Sequence, residues 1–164
     1  MNVRFAVVWP LVASCAVAGL DQAVKLMVLA VKPNLSVIPG FFSIRFARNT
    51  GAAFSLFAGF PGVLAAVGVA ILAGLLFYLC NRGAAAPVPE RIGLSLLIGG
   101  AVGNLVDRFR LGYVVDYLDV FVGNYHWPTF NLADSAVTLG VVCLLASSIW
   151  STNRPKSEAI PSSP

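Results

Sequence analysis

The segment Gly62-Val63-Leu64-Ala65-Ala66-Val67-Gly68-Val69-Ala70-Ile71-Leu72-Ala73-Gly74-Leu75-Leu76-Phe77-Tyr78-Leu79-Cys80-Asn81 carries no charge. A helix crossing the hydrocarbon of a bilayer needs about 20 mostly apolar residues, and this segment supplies that length. Working outward from it, the chain between Phe5 and Leu20 is also uncharged, as are residues 92–106 and 135–153. The pattern predicts four helices, over residues 4–31, 62–81, 92–110 and 132–151. Composition agrees. Of 164 residues, 58% are hydrophobic and 11% charged, against about 25% charged in an average soluble domain. A soluble domain of this size has too little interior to hide so much apolar surface, whereas lipid as the solvent removes the difficulty. The expected class is an all-α membrane protein with one membrane-embedded domain over residues 1–153. A Ser- and Pro-rich tail, 154–164, is expected to be disordered.

Arg4, the apolar run after it and Val12-Ala13-Ser14-Cys15 resemble a lipoprotein signal with its lipobox. Apolar sequence resumes directly after Cys15 and three more hydrophobic segments follow, so the first segment is read as a retained span. Cys15, Cys80 and Cys143 fall in or at the ends of spans and form no CxxC; they are assigned to packing, with no disulfide framework and no metal site.

Four spans put both termini on one side. Arg4, Arg82, Glu90, Arg91, Arg154, Lys156 and Glu158 fall on the terminal face, and all five Asp on the other. The terminal face has five Lys/Arg and the aspartate face six, but Lys25, Arg108 and Arg110 stand beside acids near helix ends, where pairing occupies them. The remaining five against three favour cytoplasmic termini. The net charge of +4 is scattered and gives no argument for nucleic acid. Residues 34–57 differ from the spans. Val37-Ile38-Pro39-Gly40-Phe41-Phe42 and Ser43-Ile44-Arg45-Phe46 combine turn residues with alternation, which predicts a short twisted sheet or hairpin on the membrane surface.

Ionisable groups near hydrocarbon are costly and are candidates for function, although helix ends at the interface can keep some water. Asp21 and Lys25, four apart, share a helix face and can pair. Asn104, Asp107 and Arg108 end the third helix, and Arg108 can pair with Asp107 or reach a lipid phosphate. Asp116 lies in Tyr113-Val114-Val115-Asp116-Tyr117, an apolar run that places a carboxylate in a dry spot. Asp134 opens the fourth helix, where an acid complements the helix dipole. Residues 118–129 are read as a loop long enough to bring Asp116 and Asp134 together, with Asp119 as a rival that spacing alone does not eliminate.

Two carboxylates in a partly dry site share a proton. The charged one takes a proton from water while the protonated one donates to a carbonyl oxygen, which is the aspartic-protease mechanism. Ser–His or Cys–His chemistry needs a histidine, and the one present, His126, lies in the belt-like Tyr125-His126-Trp127-Pro128, where it is given a structural or solvent role. Zinc would need more His or Cys on the polar face, and no phosphate-binding glycine loop is present. Two other classes stand beside the enzyme: a small transporter with carboxylates as a proton path, and a lipoprotein anchored through Cys15. The acids at helix ends and the lack of an internal repeat count against the transporter.

Five blocks then occur in order: Asp21-Gln22-x-x-Lys25; Asn49-Thr50-Gly51-Ala52-Ala53-Phe54; Gly99-Gly100-Ala101-x-Gly103-Asn104-x-x-Asp107-Arg108; Val114-Val115-Asp116-Tyr117; and Phe130-Asn131-x-Ala133-Asp134-Ser135. On these blocks the chain resembles the lipoprotein signal peptidases (signal peptidase II), bacterial inner-membrane aspartyl peptidases that mature prolipoproteins. The resemblance implies that Asp116 and Asp134 are the catalytic dyad. It implies that Asp21, Lys25, Asn49, Gly51, Asn104, Asp107, Arg108, Asn131 and Ala133 line the site and position substrate or dyad. It also implies a small extracytoplasmic β-cradle, matching residues 34–57, and a cut just before a diacylglyceryl-modified cysteine at the outer face. The substrate is then a diacylglyceryl-modified prolipoprotein met among membrane lipids, with no cofactor and a monomeric enzyme expected. The family's usual Phe after the first catalytic Asp is Tyr117 here, which raises the question of a hydroxyl near the dyad.

Overall fold

The computed structural model describes residues 3–51 and 61–152. The expectations for residues 52–57 of the cradle and for the tail at 154–164 lie outside the described residues. Along the chain run α1 (Val3–Val31), β1 (Asn34–Ile38), β2 (Phe42–Asn49), α2 (Pro61–Arg82), α3 (Val88–Leu111), β3 (Val114–Val122), β4 (Tyr125–His126) and α4 (Leu132–Thr152). Each of the four helices is long and apolar enough to cross a membrane.

The third helix is the hub. It packs against α1, α2 and α4, and more than half of its apolar window is buried inside the protein, whereas the α2 window is almost wholly exposed. Between helices in lipid there is little hydrophobic drive, so close packing of small residues does the work. Glycines supply it here. A methyl group on Gly93 would stand 2.9 Å from the Gly140 carbonyl oxygen, and one on Gly100 would stand 2.5 Å from the Ala133 carbonyl oxygen. The α3 and α4 backbones therefore touch with no side chain between them. Gly100→Ala is expected to force this seam apart at the first turn of α4, costing about 1–3 kcal/mol. The readout is the thermal midpoint in detergent, and an unchanged midpoint would show that the seam opens freely. On the opposite side α2 attaches through Leu79, which packs with Leu94 and Ile98 of α3.

The helix α3 starts at Val88 rather than near residue 92. Pro87 is the N-cap, in extended backbone, and Pro89 lies in the first turn, where no internal partner for an N–H is lost. Glu90 and Arg91 fall within the first four residues of the helix, so the uncharged stretch underestimates its length.

The strands form one antiparallel sheet in the order β1-β2-β3-β4. Ser43 stands opposite Asp119 and Ala47 opposite Asp116, with a bulge between Ile44 and Ala47. Residues 118–129, expected as a loop, instead supply the second half of β3 and all of β4. The reason is chemical. Both faces of β3 carry an aspartate, Asp116 on one and Asp119 on the other, so the alternation of apolar and polar residues that marks a half-buried strand is absent. Val115 and Tyr117 pack with Val28 of α1, which seats one face of the sheet on the end of that helix. Successive side chains of a strand point to opposite faces, so Asp116 points away from that seat.

Candidate active site

The N-terminus of α4 is built by side chains from three other elements as well as its own cap. The first N–H groups of a helix have no intrahelical partner. Here Leu132 N–H donates to the Tyr117 hydroxyl at 3.2 Å, Ala133 N–H to Asp21 Oδ1 at 3.0 Å, and Asp134 N–H to Asn131 Oδ1 at 2.9 Å. In return the Asp134 Oδ2 accepts the Asn131 N–H at 3.2 Å. This reciprocal bonding between cap and third helical residue is a capping box, so the helix-terminal reading of Asp134 holds. Its other oxygen has a different partner: Asn104 Nδ2 donates to Oδ1 at 2.7 Å.

Asn131 also joins the two aspartates. Its Nδ2 donates to Asp116 Oδ1 at 2.7 Å, while Asn49 Nδ2 donates to Asp116 Oδ2 at 2.9 Å. Both amides are held the right way round by backbone bonds to their oxygens, from Asp134 N–H to Asn131 and from Gly51 N–H to Asn49. Asp116 is buried. Burial, and then the nearby Asp134 charge, push its carboxyl up to about 7, against the pull of the Asn49 and Asn131 hydrogen bonds. A carboxyl held there is a proton acceptor or donor at neutral pH.

Beneath this pair lies a dry ionic cluster. The ammonium of Lys25 touches Asp21 Oδ2 at 2.9 Å, Asp107 Oδ2 at 3.0 Å and Asn104 Oδ1 at 2.9 Å. The Lys25, Asp21 and Asp107 side chains are fully buried. Gly103 makes room, since a methyl group there would stand 2.5 Å from Asp21 Oδ2. Each carboxylate also accepts a backbone N–H beside one of the upper aspartates. Asp107 Oδ2 takes Val115 N–H at 3.0 Å, next to Asp116, and Asp21 Oδ1 takes Ala133 N–H, next to Asp134.

Asp116 and Asp134 open into one cavity of about 850 Å³, whose wall includes Asn49, Asn104, Arg108, Trp127 and Phe130. Arg108 reaches Gly51, whose carbonyl oxygen accepts from its Nη2 at 3.1 Å. The residues singled out in the sequence therefore gather in one place, from α1, β2, α3, β3 and α4. Asp119 is elsewhere. It lies on the opposite face of β3 and is held by Ser43, Arg45 and His126. Tyr117, whose hydroxyl burial pushes up to about 12, caps α4 through that hydroxyl.

Sequence reasoning passed over Gln22, whose Nε2 bridges the Gly103 carbonyl and Asp107 Oδ1, both at 3.0 Å. Its signal was its place beside Asp21 in the first block. Arg48 was also passed over. It lines the cavity with its guanidinium 5.1 Å from the centre of the Tyr113 ring, a cross-element contact that spacing does not reveal. Among the described residues no group of three or more His, Cys, Asp or Glu is arranged to hold a metal ion.

The family profile for signal peptidase (SPase) II matches residues 13–150. The chain is 41% identical over 151 residues to the lipoprotein signal peptidase of Syntrophus aciditrophicus, covering 85% of this chain and 94% of that protein. It is 44% identical over 149 residues to the lipoprotein signal peptidase of Desulforapulum autotrophicum, covering 87% and 91%. Its fold superposes on a bacterial membrane enzyme solved by the in meso method at 2.3 Å resolution with a TM-score of 0.81 and 28% identity, covering 92% of this chain and 93% of that one. With a profile match over nearly all of the membrane-embedded part and relatives aligned along most of their length, the chain belongs to the signal peptidase II family of aspartic peptidases.

Proposed function

We propose that this protein removes signal peptides from prolipoproteins by cutting just before the diacylglyceryl-modified cysteine, with Asp116 and Asp134 as the dyad that activates water. Membership of the family supports the substrate class, and its four long apolar helices fit a multi-pass inner-membrane protein. The observation that carries the reading is the convergence of Asp116 and Asp134 on one cavity, cross-linked through Asn131. Termini in the cytoplasm put that cavity at the extracytoplasmic surface, where the lipid on the substrate cysteine holds the scissile bond. The protein acts as a monomer, without a cofactor.

In this reading one aspartate, ionised, takes a proton from water, and the other, protonated, donates to the carbonyl oxygen as it gains charge. Asn131 and Asn49 hold Asp116, and Asn104 holds Asp134. Arg108, in the cavity wall, is the residue assigned here to a lipid phosphate. The deciding experiment is incubation of purified protein with a synthetic peptide carrying diacylglyceryl-cysteine. Mass spectrometry should show cleavage on the N-terminal side of that cysteine; an intact peptide, or a cut elsewhere, would sink the proposal.

A pH dependence follows. The pair needs one proton, and the Asp116 carboxyl is raised to about 7. The ratio kcat/KM is expected to fall as pH rises through that value, by about tenfold per unit well above it. Stability follows the same sign. Between the ordinary carboxylate value of 3.8 and about 7 the folded state holds a proton that the unfolded state has released. The stabilisation is thus complete at low pH and is lost as pH rises through this window. A rate that stays flat from pH 6 to 9 would contradict this assignment of Asp116.

A further inference from the structure

Asp119 is an acid inside a small sheet outside the membrane spans, yet 1% exposed. Its Oδ2 accepts Ser43 Oγ–H at 3.0 Å and Arg45 Nε–H at 2.8 Å. Its Oδ1 accepts the longer Arg45 Nη2 contact at 3.4 Å and His126 Nδ1–H at 2.9 Å. A carboxylate only accepts, so Nδ1 is the protonated ring nitrogen here. Burial would raise this carboxyl, but the His126 and Ser43 hydrogen bonds and the Arg45 charge win and hold it below the usual range. One side chain thus ties β2, β3 and β4 together.

What β4 carries gives this tie its consequence. The residues after His126, namely Trp127, Pro128, Thr129 and Phe130, all line the cavity that holds Asp116 and Asp134. They form a strap fastened to β3 at both ends. At the near end Phe130 N–H donates to the Leu118 carbonyl at 3.0 Å, and the Phe130 carbonyl accepts from Tyr117 and Leu118 N–H. At the far end Trp127 N–H donates to the Val120 carbonyl at 2.8 Å, His126 stacks on Phe121 with ring centres 4.8 Å apart, and Asp119 grips the imidazole. The near end is held by backbone alone, whereas the far end adds two side-chain contacts of His126, to Asp119 and to Phe121, to the backbone pairing of a two-residue strand. Trp127 follows His126 directly in the chain, stands at the cavity wall and is 61% exposed.

We propose that Asp119 is a positioning residue for substrate binding: by clamping His126 it sets where Trp127 stands at the cavity wall, and so how tightly the lipid-bearing peptide is held. It rests on the peptidase reading of the cavity. Asp119 touches neither the dyad nor the cavity, so its loss should act on binding and leave the chemical step alone.

The test uses the full-length protein in detergent with the diacylglyceryl-cysteine peptide. Asp119→Ala and His126→Ala are each expected to raise KM by about tenfold with kcat within about twofold of wild type. Asp119→Asn, which keeps one acceptor oxygen and can donate to the other tautomer of His126, should restore KM toward wild type. Trp127→Ala should raise KM as well, and adding Asp119→Ala to it should change nothing further, because both act through one wall. A fall in kcat at constant KM, the mark of protein lost to misfolding, would overturn the proposal. So would effects of Asp119→Ala and Trp127→Ala that multiply. Should Asp119→Ala fail to accumulate, His126→Ala decides by the same criteria, since that side chain is 43% exposed and its truncation leaves the Asp119–Arg45 pair in place. Asp116→Asn in the same assay keeps the two readings apart. Turnover surviving there would remove the peptidase assignment of the cavity, whereas an unchanged KM in Asp119→Ala and His126→Ala would remove the clamp alone.

Discussion

Asp116→Asn is expected to abolish cleavage of the lipidated peptide, with a loss of at least about 10²–10⁴-fold, the range that a positioned acid or base contributes. Asp134→Asn should do the same. The amide is close in shape to the carboxyl, so the substitution isolates the proton. At Asp116 the fold itself changes little, because two effects oppose. The variant removes a charge that burial disfavours, and it leaves either Asn49 Nδ2 or Asn131 Nδ2 facing another donor, at a cost of about 1 kcal/mol. At Asp134 one oxygen remains to accept from either Asn104 Nδ2 or Asn131 N–H, so the start of α4 keeps most of its cap. Thermal midpoints near wild type, with no product by mass spectrometry, are the expected pair of results. Activity within tenfold of wild type in either variant would take that residue out of the dyad. Asp119→Asn serves as the contrast, with kcat kept, since that carboxylate lies on the far face of β3.

This contrast shows where the sequence stopped being readable. The four spans were legible because a bilayer imposes a single simple demand, length without charge, and residues 62–81 meet it without help from any other part of the chain. The strand β3 was not, because its polar residues serve two sites at once. Asp116 belongs to the cavity and Asp119 to the clamp, and the pair blurs the period of two on which strand recognition depends. Once the strand is known, three residues of separation place these aspartates on opposite faces, and of the two Asp116 lines the cavity that Asp134 also lines. Before that, preferring Asp116 rested on family resemblance. The same limit applies to Lys25. Its pairing with Asp21 was legible at a spacing of four, but its second carboxylate comes from Asp107 across the α1–α3 interface, a contact to which no local pattern points. Likewise Asn131 entered from the sequence only as a site-lining residue that the resemblance implies, and its cap of α4 and its grip on Asp116 appear only when β3 lies beside the start of α4.

Lys25→Met should remove activity by a different route, through the fold. Met has a similar length and no charge, so the cavity it leaves is small and the effect is electrostatic. Without the ammonium, the Asp21 and Asp107 side chains stay fully buried but lose the cation that joins them. Breaking a buried pair from one side costs about 3–5 kcal/mol, because the stranded charge has no water to turn to. Here two are stranded. The two carboxyl groups push apart, and their oxygens are what hold Val115 N–H and Ala133 N–H, the amides next to Asp116 and Asp134. Loosening therefore reaches both members of the proposed dyad, and Asn104 loses its tie to Lys25 while still bonded to Asp134. The expected result is a lower thermal midpoint in detergent together with loss of cleavage, unlike the Asp→Asn variants, which lose cleavage alone. Adding Asp21→Asn and Asp107→Asn to Lys25→Met should recover part of the midpoint, since a neutral set carries no stranded charge, without recovering full activity. A Lys25→Met protein as stable as wild type would show that the cluster is not what holds α1, α3 and the start of α4 in register.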